Sequence, residues 1–332
     1  MVDTVAFEDR DLGDGLEAER RFWRRESGGE FGGRCYEGDG LAFWQEFTAN
    51  AQGYYVLPSE VQLIDENADW IAGIAREGLR EGEPLIVAEL GSGGETALGL
   101  KTSRVIEAVD PDAYVGVDES RDVLGTAKAF LARRFPDLPF SELHQDFNEQ
   151  AMVLPRGGKR LMVQFGSTIS NLAGSPADGL PFRKLVSVLK NFRAALDVGD
   201  DLIIGYDSNQ DGPTAIGAYE DPNHAAFSMN LLDVMARDPA IEGLDRNDFF
   251  YRPTWHDAAK LVTHDLVAKR DGGLFVAREP MPYEAGDAHN YSNSYKYPVW
   301  VFEAAARMAR LEPRDRRMDS QNRMGLHALR AC

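Results

Sequence analysis

The sequence predicts an α/β protein in which a Rossmann-like core carries a second, smaller α+β domain. Between residues 84 and 206, short continuous apolar runs alternate with longer stretches of helical periodicity, the signature of βαβ units on a parallel sheet. The alternation stops after Tyr206 and gives way to mixed polar loops. A chain of 332 residues, 43% of them hydrophobic, suffices for one large core or two modest ones.

Taken in order, the chain opens with a charged, Gly-interrupted arm from Phe7 to about Glu37, within which Glu17 to Arg25 is the one helical stretch. From Gly40 to Arg80 the apolar residues Leu41, Phe43, Trp44 and Phe47, then Val61, Ile64, Trp70, Ile71 and Ile74, recur at helical spacing. Two or three helices are expected there. Pro84 to Leu90 is apolar throughout and runs into Gly91-Ser92-Gly93-Gly94, as a buried parallel strand entering a tight turn does. A helix over Glu95 to Val109 follows, then a strand over Ala113 to Val117 ending in Asp118, and a helix over Val123 to Phe135 closed by Pro136. Further strands are expected at Phe140 to His144, Leu161 to Phe165 and Asp201 to Tyr206, with a helix at Phe182 to Leu196. The remainder offers a helix near Ala225 to Ala236, a strand-like piece at Leu274 to Ala277, a helix at Val299 to Leu311 and a closing strand near Met324 to Leu329. The expected division is a helical lid at 1–65 belonging to the smaller domain, the core at 66–206, the smaller domain at 207–294 and a return to the core at 295–332.

Composition narrows the function. A formal charge of -18 would repel nucleic acid or an anionic membrane over much of the surface, so neither is an expected partner. Met1 to Arg10 carries Asp3, Glu8 and Asp9 and no apolar run, and does not read as a secretory leader. With no apolar run of bilayer length either, a cytoplasmic protein is expected. Cys35 and Cys332 are the only cysteines, and the six histidines show no metal-ligand spacing, so no metal is expected.

Cofactor chemistry is indicated at three successive strand ends, where ligands of doubly wound sheets bind. The first turn, Gly91-Ser92-Gly93-Gly94, has Thr96 where a dinucleotide loop would place its third glycine, and Glu89 just before it. An acid there is unhelpful beside a pyrophosphate and suits the cationic methionine portion of S-adenosylmethionine (SAM). Asp118 ends the second strand, where a carboxylate accepts hydrogen bonds from ribose hydroxyls. Asp146-Phe147 follows the third and offers an acceptor and a ring to the adenine.

The segment Phe165-Gly166-Ser167-Thr168-Ile169-Ser170-Asn171-Leu172 resembles a motif of the histidine-specific methyltransferases, and Ala88 to Gly93, Val117-Asp118 and Asp146-Phe147 resemble that family's other motifs. The resemblance runs from about Tyr36 to about Tyr297. It implies a class I methyltransferase fold, SAM as methyl donor with S-adenosylhomocysteine as product, and a small amino acid as acceptor, in a chain expected to be monomeric. It implies that Gly166 and Ser167 face the cofactor and that Asn171 and Tyr219 hold the amino acid backbone. Tyr36 and Tyr54 are implied to contact the amino acid and orient the reacting nitrogen, and Ser292 and Ser294 to line its side chain. Two departures stand out. The family has a glutamate against the imidazole where this chain has Ser292, and a lysine expected a few residues after the Gly-rich turn is absent. Loss of that glutamate shifts the expected acceptor toward a basic amino acid, at the guanidino nitrogen of arginine or the amine of histidine, with Glu37, Glu220, Glu284 and Asp287 as candidate partners for a guanidinium. His264 aligns loosely near the acceptor side chain. The competing readings are a non-catalytic cofactor-binding module and a nicotinamide-dependent oxidoreductase.

Overall fold

The computed structural model describes residues 16–332, so the reading of Met1 to Arg10 lies outside the described residues. In chain order, helices α1 (Glu17–Trp23), α2 (Gly40–Asn50), α3 (Val56–Glu66) and α4 (Ala68–Arg76) precede strand β1 (Leu85–Leu90). The first crossover is a single helical path: α5 (Glu95–Ala97), a π-helical turn over Leu98–Thr102, and α6 (Ser103–Val109). Then come β2 (Ala113–Asp118), α7 (Arg121–Arg134), β3 (Phe140–His144), β4 (Lys159–Gln164), α8 (Phe182–Ala194) and β5 (Asp201–Asp207). The later part holds α9 (Gly212–Gly217), α10 (Pro222–Met235), β6 (Ile241–Glu242), β7 (Phe249–His256), β8 (Leu261–Ala268), β9 (Gly272–Val276), β10 (Glu279–Tyr283) and β11 (Ala288–Tyr295). It closes with α11 (Val299–Met308), β12 (Leu311–Met318) and β13 (Met324–Ala331).

Seven strands form the main sheet in the order β12-β13-β5-β4-β1-β2-β3. The pairs from β5 to β3 are parallel, and β13 is antiparallel to both β5 and β12. All six residues of β1 and of β4 are buried, which explains why these strands read as continuous apolar runs: helices cover both faces. Alternate residues serve opposite faces. Ile86, Ala88 and Leu90 pack with α8 and α11, while Leu85 and Val87 pack with α3, α4 and α6. Each such aliphatic side chain contributes roughly 1.5–3 kcal/mol by leaving water.

Two three-stranded antiparallel sheets, β10-β9-β6 and β11-β8-β7, lie outside the main sheet. They share a core with α1 and α10 built on Phe22, Trp23, Leu231, Leu232, Leu266 and Met281. The expected strand-like piece at Leu274 to Ala277 is thus one of six strands in this part. The N-terminal helix joins the same core rather than standing free.

Two elements differ from expectation. The last helix ends at Met308 instead of continuing to Leu311, and Leu311–Met318 is a strand. Its sequence LEPRDRRM hides the strand because β12 lies at the sheet edge, where charges guard against further pairing. Arg314 reaches Glu77 at 3.0 Å, Arg316 reaches Glu303 at 2.6 Å, and Arg317 stacks over Trp70.

Candidate active site

The sheet order reverses between β1 and β4, so the crevice beyond their carboxyl ends is where a ligand enters such a fold. Gly91 and Gly93 on one side and Gly166 on the other take φ values of 71°, 71° and 77°, which glycine adopts without the steric cost a Cβ would bring. A Cβ at Gly91 would approach the Phe147 ring at 3.6 Å, so Phe147 lies beside the turn, buried and packed on Phe192. Ser92 is buried, and its hydroxyl has no hydrogen-bond partner among the described residues, a vacancy in its bonding that a ligand in the turn would fill. Asp118 ends β2 and accepts from the Ser120 N–H at 2.8 Å; burial, opposed by that bond, raises its pKa to about 6. Asp146 caps its own loop, accepting from the Asn148 N–H at 2.8 Å.

Glu89 is placed differently from a simple cofactor acceptor. It shares a face with Leu85 and Val87, and its Oε2 is taken up by the Tyr114 hydroxyl and, at 2.8 Å, by the Thr102 hydroxyl. Burial raises its pKa against those two bonds. Oε1 has no partner among the described residues.

Beneath the Gly166 loop lies an anchor that sequence reasoning missed. Glu60, fully buried on α3, accepts from the Gly166 N–H at 2.8 and 3.0 Å and from Lys101 Nζ at 3.1 Å. A Cβ on Gly205 would come within 2.0 Å of Glu60 Oε1, so β5 needs glycine there for the carboxylate to pass. Lys101 lies in the π-helical turn. The lysine expected nearer the Gly-rich turn is absent, and Lys101, further along the helix, reaches Glu60 beneath the Gly166 loop. Ser167, at φ 59°, accepts from the Asp207 N–H at 3.0 Å and contacts Ser170, tying the loop to β5.

The tyrosines carried over by resemblance gather on the crevice from three elements. Tyr36 ends a 3-10 turn over Gly32–Tyr36, Tyr54 precedes α3, and Tyr219 lies between α9 and α10. Burial of the hydroxyl raises the pKa of both Tyr36 and Tyr54, although the Tyr36 residue as a whole is 41% exposed; charge on Asp118 and Tyr219 adds to it at Tyr36, and charge on Tyr219 and Tyr36 at Tyr54. Tyr36 and Tyr54 therefore stay protonated at neutral pH. Lys296 Nζ donates to the Tyr219 hydroxyl at 3.1 Å and to Asp207 Oδ2 at 2.7 Å. Burial works against its charge, but Asp207 and Tyr219 outweigh it and hold the pKa above the ordinary lysine value. With its oxygen already accepting from Lys296, Tyr219 has its own proton free to donate. Asn171 follows the Gly166 loop, exposed, and its side chain has no partner among the described residues.

Ser292 and Ser294 lie on β11, with a bulge between Asn290 and Ser292 that locally re-aims the side chains. Ser294 Oγ meets His264 Nε2 at 3.0 Å, and His264 Nδ1 meets the Tyr251 hydroxyl at 2.8 Å. Burial, helped by His224 and Lys296, keeps His264 well below the ordinary histidine pKa, hence neutral. Ser292 abuts the Gly32 backbone: a Cβ there would meet its Oγ at 2.8 Å.

Of the four carboxylates considered for a guanidinium, Glu37 and Glu220 directly follow Tyr36 and Tyr219, and Glu284 and Asp287 lie apart from them. Glu37 is exposed and pairs with Arg34 at 3.4 Å, Glu220 is exposed after α9, and Glu284 and Asp287 sit in the β10–β11 turn, where Asp287 pairs with Arg25. An open groove of about 710 Å³ runs outside the Gly-rich turn, lined by Leu41, Gln45, Thr96, Arg121 and Thr126 among others and by none of the tyrosines. Among the described residues no group of three or more His, Cys, Asp or Glu could hold a metal, and no helix is long and apolar enough to cross a membrane.

Residues 33–331 match the family described as histidine-specific methyltransferase, SAM-dependent. The chain belongs to that family. It is 26% identical over 225 residues to the histidine N-alpha-methyltransferase of Mycobacterium tuberculosis (strain CDC 1551 / Oshkosh), covering 66% of this chain and 63% of that protein. It is 26% identical over 245 residues to the enzyme of the same name from Mycolicibacterium smegmatis, covering 73% and 71%. The match thus spans less than two thirds of the first relative's length. Among solved structures, DesVI of Streptomyces venezuelae superposes with a TM-score of 0.45 at 14% identity, covering 90% of this chain and all of that one. The family's methyl donor is SAM, and the family match, with Thr96 in place of a third glycine, turns the reading away from a nicotinamide-dependent oxidoreductase.

Proposed function

We propose that this chain is a SAM-dependent N-methyltransferase acting on the α-amine of a free amino acid. The observation that supports the reading is the continuous packing of Tyr36 on Trp44 at 5.7 Å, Trp44 on Tyr54 at 6.2 Å and Tyr54 on Tyr219 at 6.0 Å between ring centroids, in a chain of this family. The residues present fit the donor: two glycines at positive φ, an orphaned buried Ser92 hydroxyl and a strand-end carboxylate, with no phosphate-binding third glycine. Bound there, SAM supplies an electrophilic methyl group on a sulfonium.

In this reading Gly91, Ser92, Gly93, Gly166 and Ser167 form the donor cradle, Asp118 accepts from ribose hydroxyls, and Asp146 and Phe147 border the adenine. Glu89 contributes through Oε1 and braces the turn from below through Thr102 and Tyr114. Asn171 and Tyr219 hold the amino acid carboxylate, and Lys296 supplies the positive charge behind Tyr219. Tyr36 and Tyr54, kept as neutral phenols, accept from the amine N–H and aim its lone pair; they orient without removing a proton for good. The amine proton leaves to water before attack, because an ammonium has no lone pair. Holding the nitrogen about 3 Å from the methyl supplies about 7–11 kcal/mol of the barrier through proximity and orientation. Ser292 and Ser294 border the acceptor side chain. The division into a lid at 1–65, a cofactor core at 66–206, a substrate unit at 207–294 and a return at 295–332 belongs to the same proposal, as do a monomeric state and a cytoplasmic location.

The test is mass-spectrometric methyl transfer from SAM to each free proteinogenic amino acid. A mass gain located on the α-nitrogen is expected. Clear SAM binding with no gain on any amino acid would overturn the reading in favour of a non-catalytic binding module.

A further inference from the structure

Deepening that reading, we propose that the acceptor is an amino acid with an uncharged aromatic side chain bearing a ring O–H or N–H, of the tyrosine and tryptophan class, recognised by His224. The inference rests on the assignment of Tyr54, Tyr219 and Ser294 to the acceptor site. What surrounds these residues is aromatic and neutral. His224, on α10 and 3% exposed, has ring centroids around it at 4.8 Å for Phe47, 5.0 Å for Tyr251, 5.2 Å for Tyr219, 5.3 Å for His264, 5.9 Å for Phe227 and 6.4 Å for Trp44. The cluster reaches the crevice through Tyr219 and through Tyr36, which packs on Phe227 at 4.9 Å and is 41% exposed.

Within this cluster both nitrogens of His264 are partnered, but His224 is half-used. Its Nδ1 meets Ser228 Oγ at 3.3 Å, while Nε2 has no partner among the described residues. His224 Nε2 is not among the fully enclosed unpartnered atoms, so the little exposure the residue keeps leaves this nitrogen reachable as an acceptor for a ligand's O–H or N–H. Burial lowers the His224 pKa to about 3, so the ring is neutral.

Within the ring cluster the charged groups are paired or hydrogen-bonded: Lys296 and Asp207 pair with each other, and Asp265 accepts from Thr263 at 3.0 Å and Asn290 at 3.2 Å. Asp118 lies by Tyr36 and Glu220 is exposed, near enough for its charge to act on Tyr251, so both stand at the margin of the cluster. A guanidinium or ammonium side chain seated against His224 would touch rings in place of a free carboxylate, which is costly away from water. A flat aromatic side chain gains ring contacts at no such cost.

The experiment measures kcat/KM of the full chain with SAM for tyrosine, tryptophan, phenylalanine, histidine, arginine and lysine, alongside calorimetric binding of each with S-adenosylhomocysteine present. Tyrosine or tryptophan is expected to exceed arginine and lysine by at least ~100-fold and phenylalanine by roughly five- to tenfold, the worth of one hydrogen bond. His224→Phe should erase the preference over phenylalanine, and His224→Gln, which keeps an amide near the place of Nε2, should retain part of it. Arginine, lysine or histidine as best acceptor overturns this inference and leaves the α-amine reading standing. Selective binding of tyrosine or tryptophan without methylation does the reverse. An unchanged tyrosine-to-phenylalanine ratio in a folded His224→Phe variant removes His224 from the recognition.

Discussion

Replacing Glu60 by glutamine tests the anchor beneath the Gly166 loop. The carboxylate is fully buried and accepts at 2.8 and 3.0 Å from one backbone N–H and at 3.1 Å from Lys101, itself 6% exposed. Glutamine is nearly isosteric, so packing is preserved. Lys101 then loses its counter-ion in a site where water does not compensate, and with both oxygens near the Gly166 N–H the new amide group cannot turn without setting donor against donor. Breaking a buried pair from one side costs about 3–5 kcal/mol, against a total stability of roughly 5–15 kcal/mol. Urea unfolding followed by tryptophan fluorescence, with the slope m unchanged, measures the loss. Changing both residues to methionine removes both charges and should recover much of the stability, since an apolar pair often replaces an ionic one without penalty. It leaves the Gly166 N–H without its acceptor, so SAM affinity should fall even where stability recovers. A loss below about 1 kcal/mol in Glu60→Gln would refute the buried-pair argument. A double variant with normal SAM affinity would refute the anchoring role while sparing the pair.

The remaining predictions probe the same crevice from other sides. Gly205→Ala should destabilise by about 1–3 kcal/mol through overpacking, because the new Cβ would meet Glu60 Oε1; thermal unfolding at wild-type temperature would contradict it. Asn171→Ala should weaken amino acid binding about tenfold, the upper range for one lost hydrogen bond, while calorimetric SAM affinity holds; equal loss of both would remove Asn171 from the acceptor site. Asp118, raised from 3.8 to about 6, binds its proton more readily folded than unfolded. Its contribution to stability is therefore complete below pH 3.8 and lost as pH rises through 6. Ribose hydroxyls need the carboxylate, so SAM affinity should fall as pH drops below about 6, and Asp118→Asn should flatten that dependence; an unaltered profile would sink the ribose assignment.

The strand-turn chemistry was legible because it is local. Gly91 to Gly94, Asp118 and the Phe165 to Asn171 segment lie where a buried strand meets a loop, and apolar runs mark those places. What stayed hidden joins residues far apart in sequence. Glu60 reads as one acid on an amphipathic helix until β4 and β5 bring Gly166 and Gly205 to it, and Lys101 sits one helical turn beyond where a lysine was sought. The signal was present in both: a charge on an otherwise apolar face with no neighbour of opposite sign. Lys296 and Asp207 were hidden in the same way, each inside a strand or at its end. β12 was missed for the opposite reason, since an edge strand needs no apolar alternation on its exposed side.

The site separates charge from the reacting groups. Its ionic pairs, Lys101 with Glu60 and Lys296 with Asp207, are buried one layer back, while the groups assigned to the acceptor are phenols, a carboxamide, serines and neutral imidazoles, and the crevice carboxylate Asp118 is assigned to the donor's ribose. The reaction gives this arrangement a reason. The donor is a cation, and the acceptor nitrogen is useful only once uncharged, so a free carboxylate beside the amine would hold it as ammonium and remove the lone pair. A free cation would repel the donor. Tyr219 resolves the one place where charge is wanted: it passes the influence of Lys296 to the amino acid carboxylate through an O–H, and Asp207 cancels the remainder. Lys296→Met should then raise the amino acid KM and leave SAM affinity intact, with Asp207 left as an uncompensated buried carboxylate and stability reduced by about 3–5 kcal/mol. A raised SAM dissociation constant with an unchanged amino acid KM would place the Lys296–Asp207 pair on the donor side and undo this account.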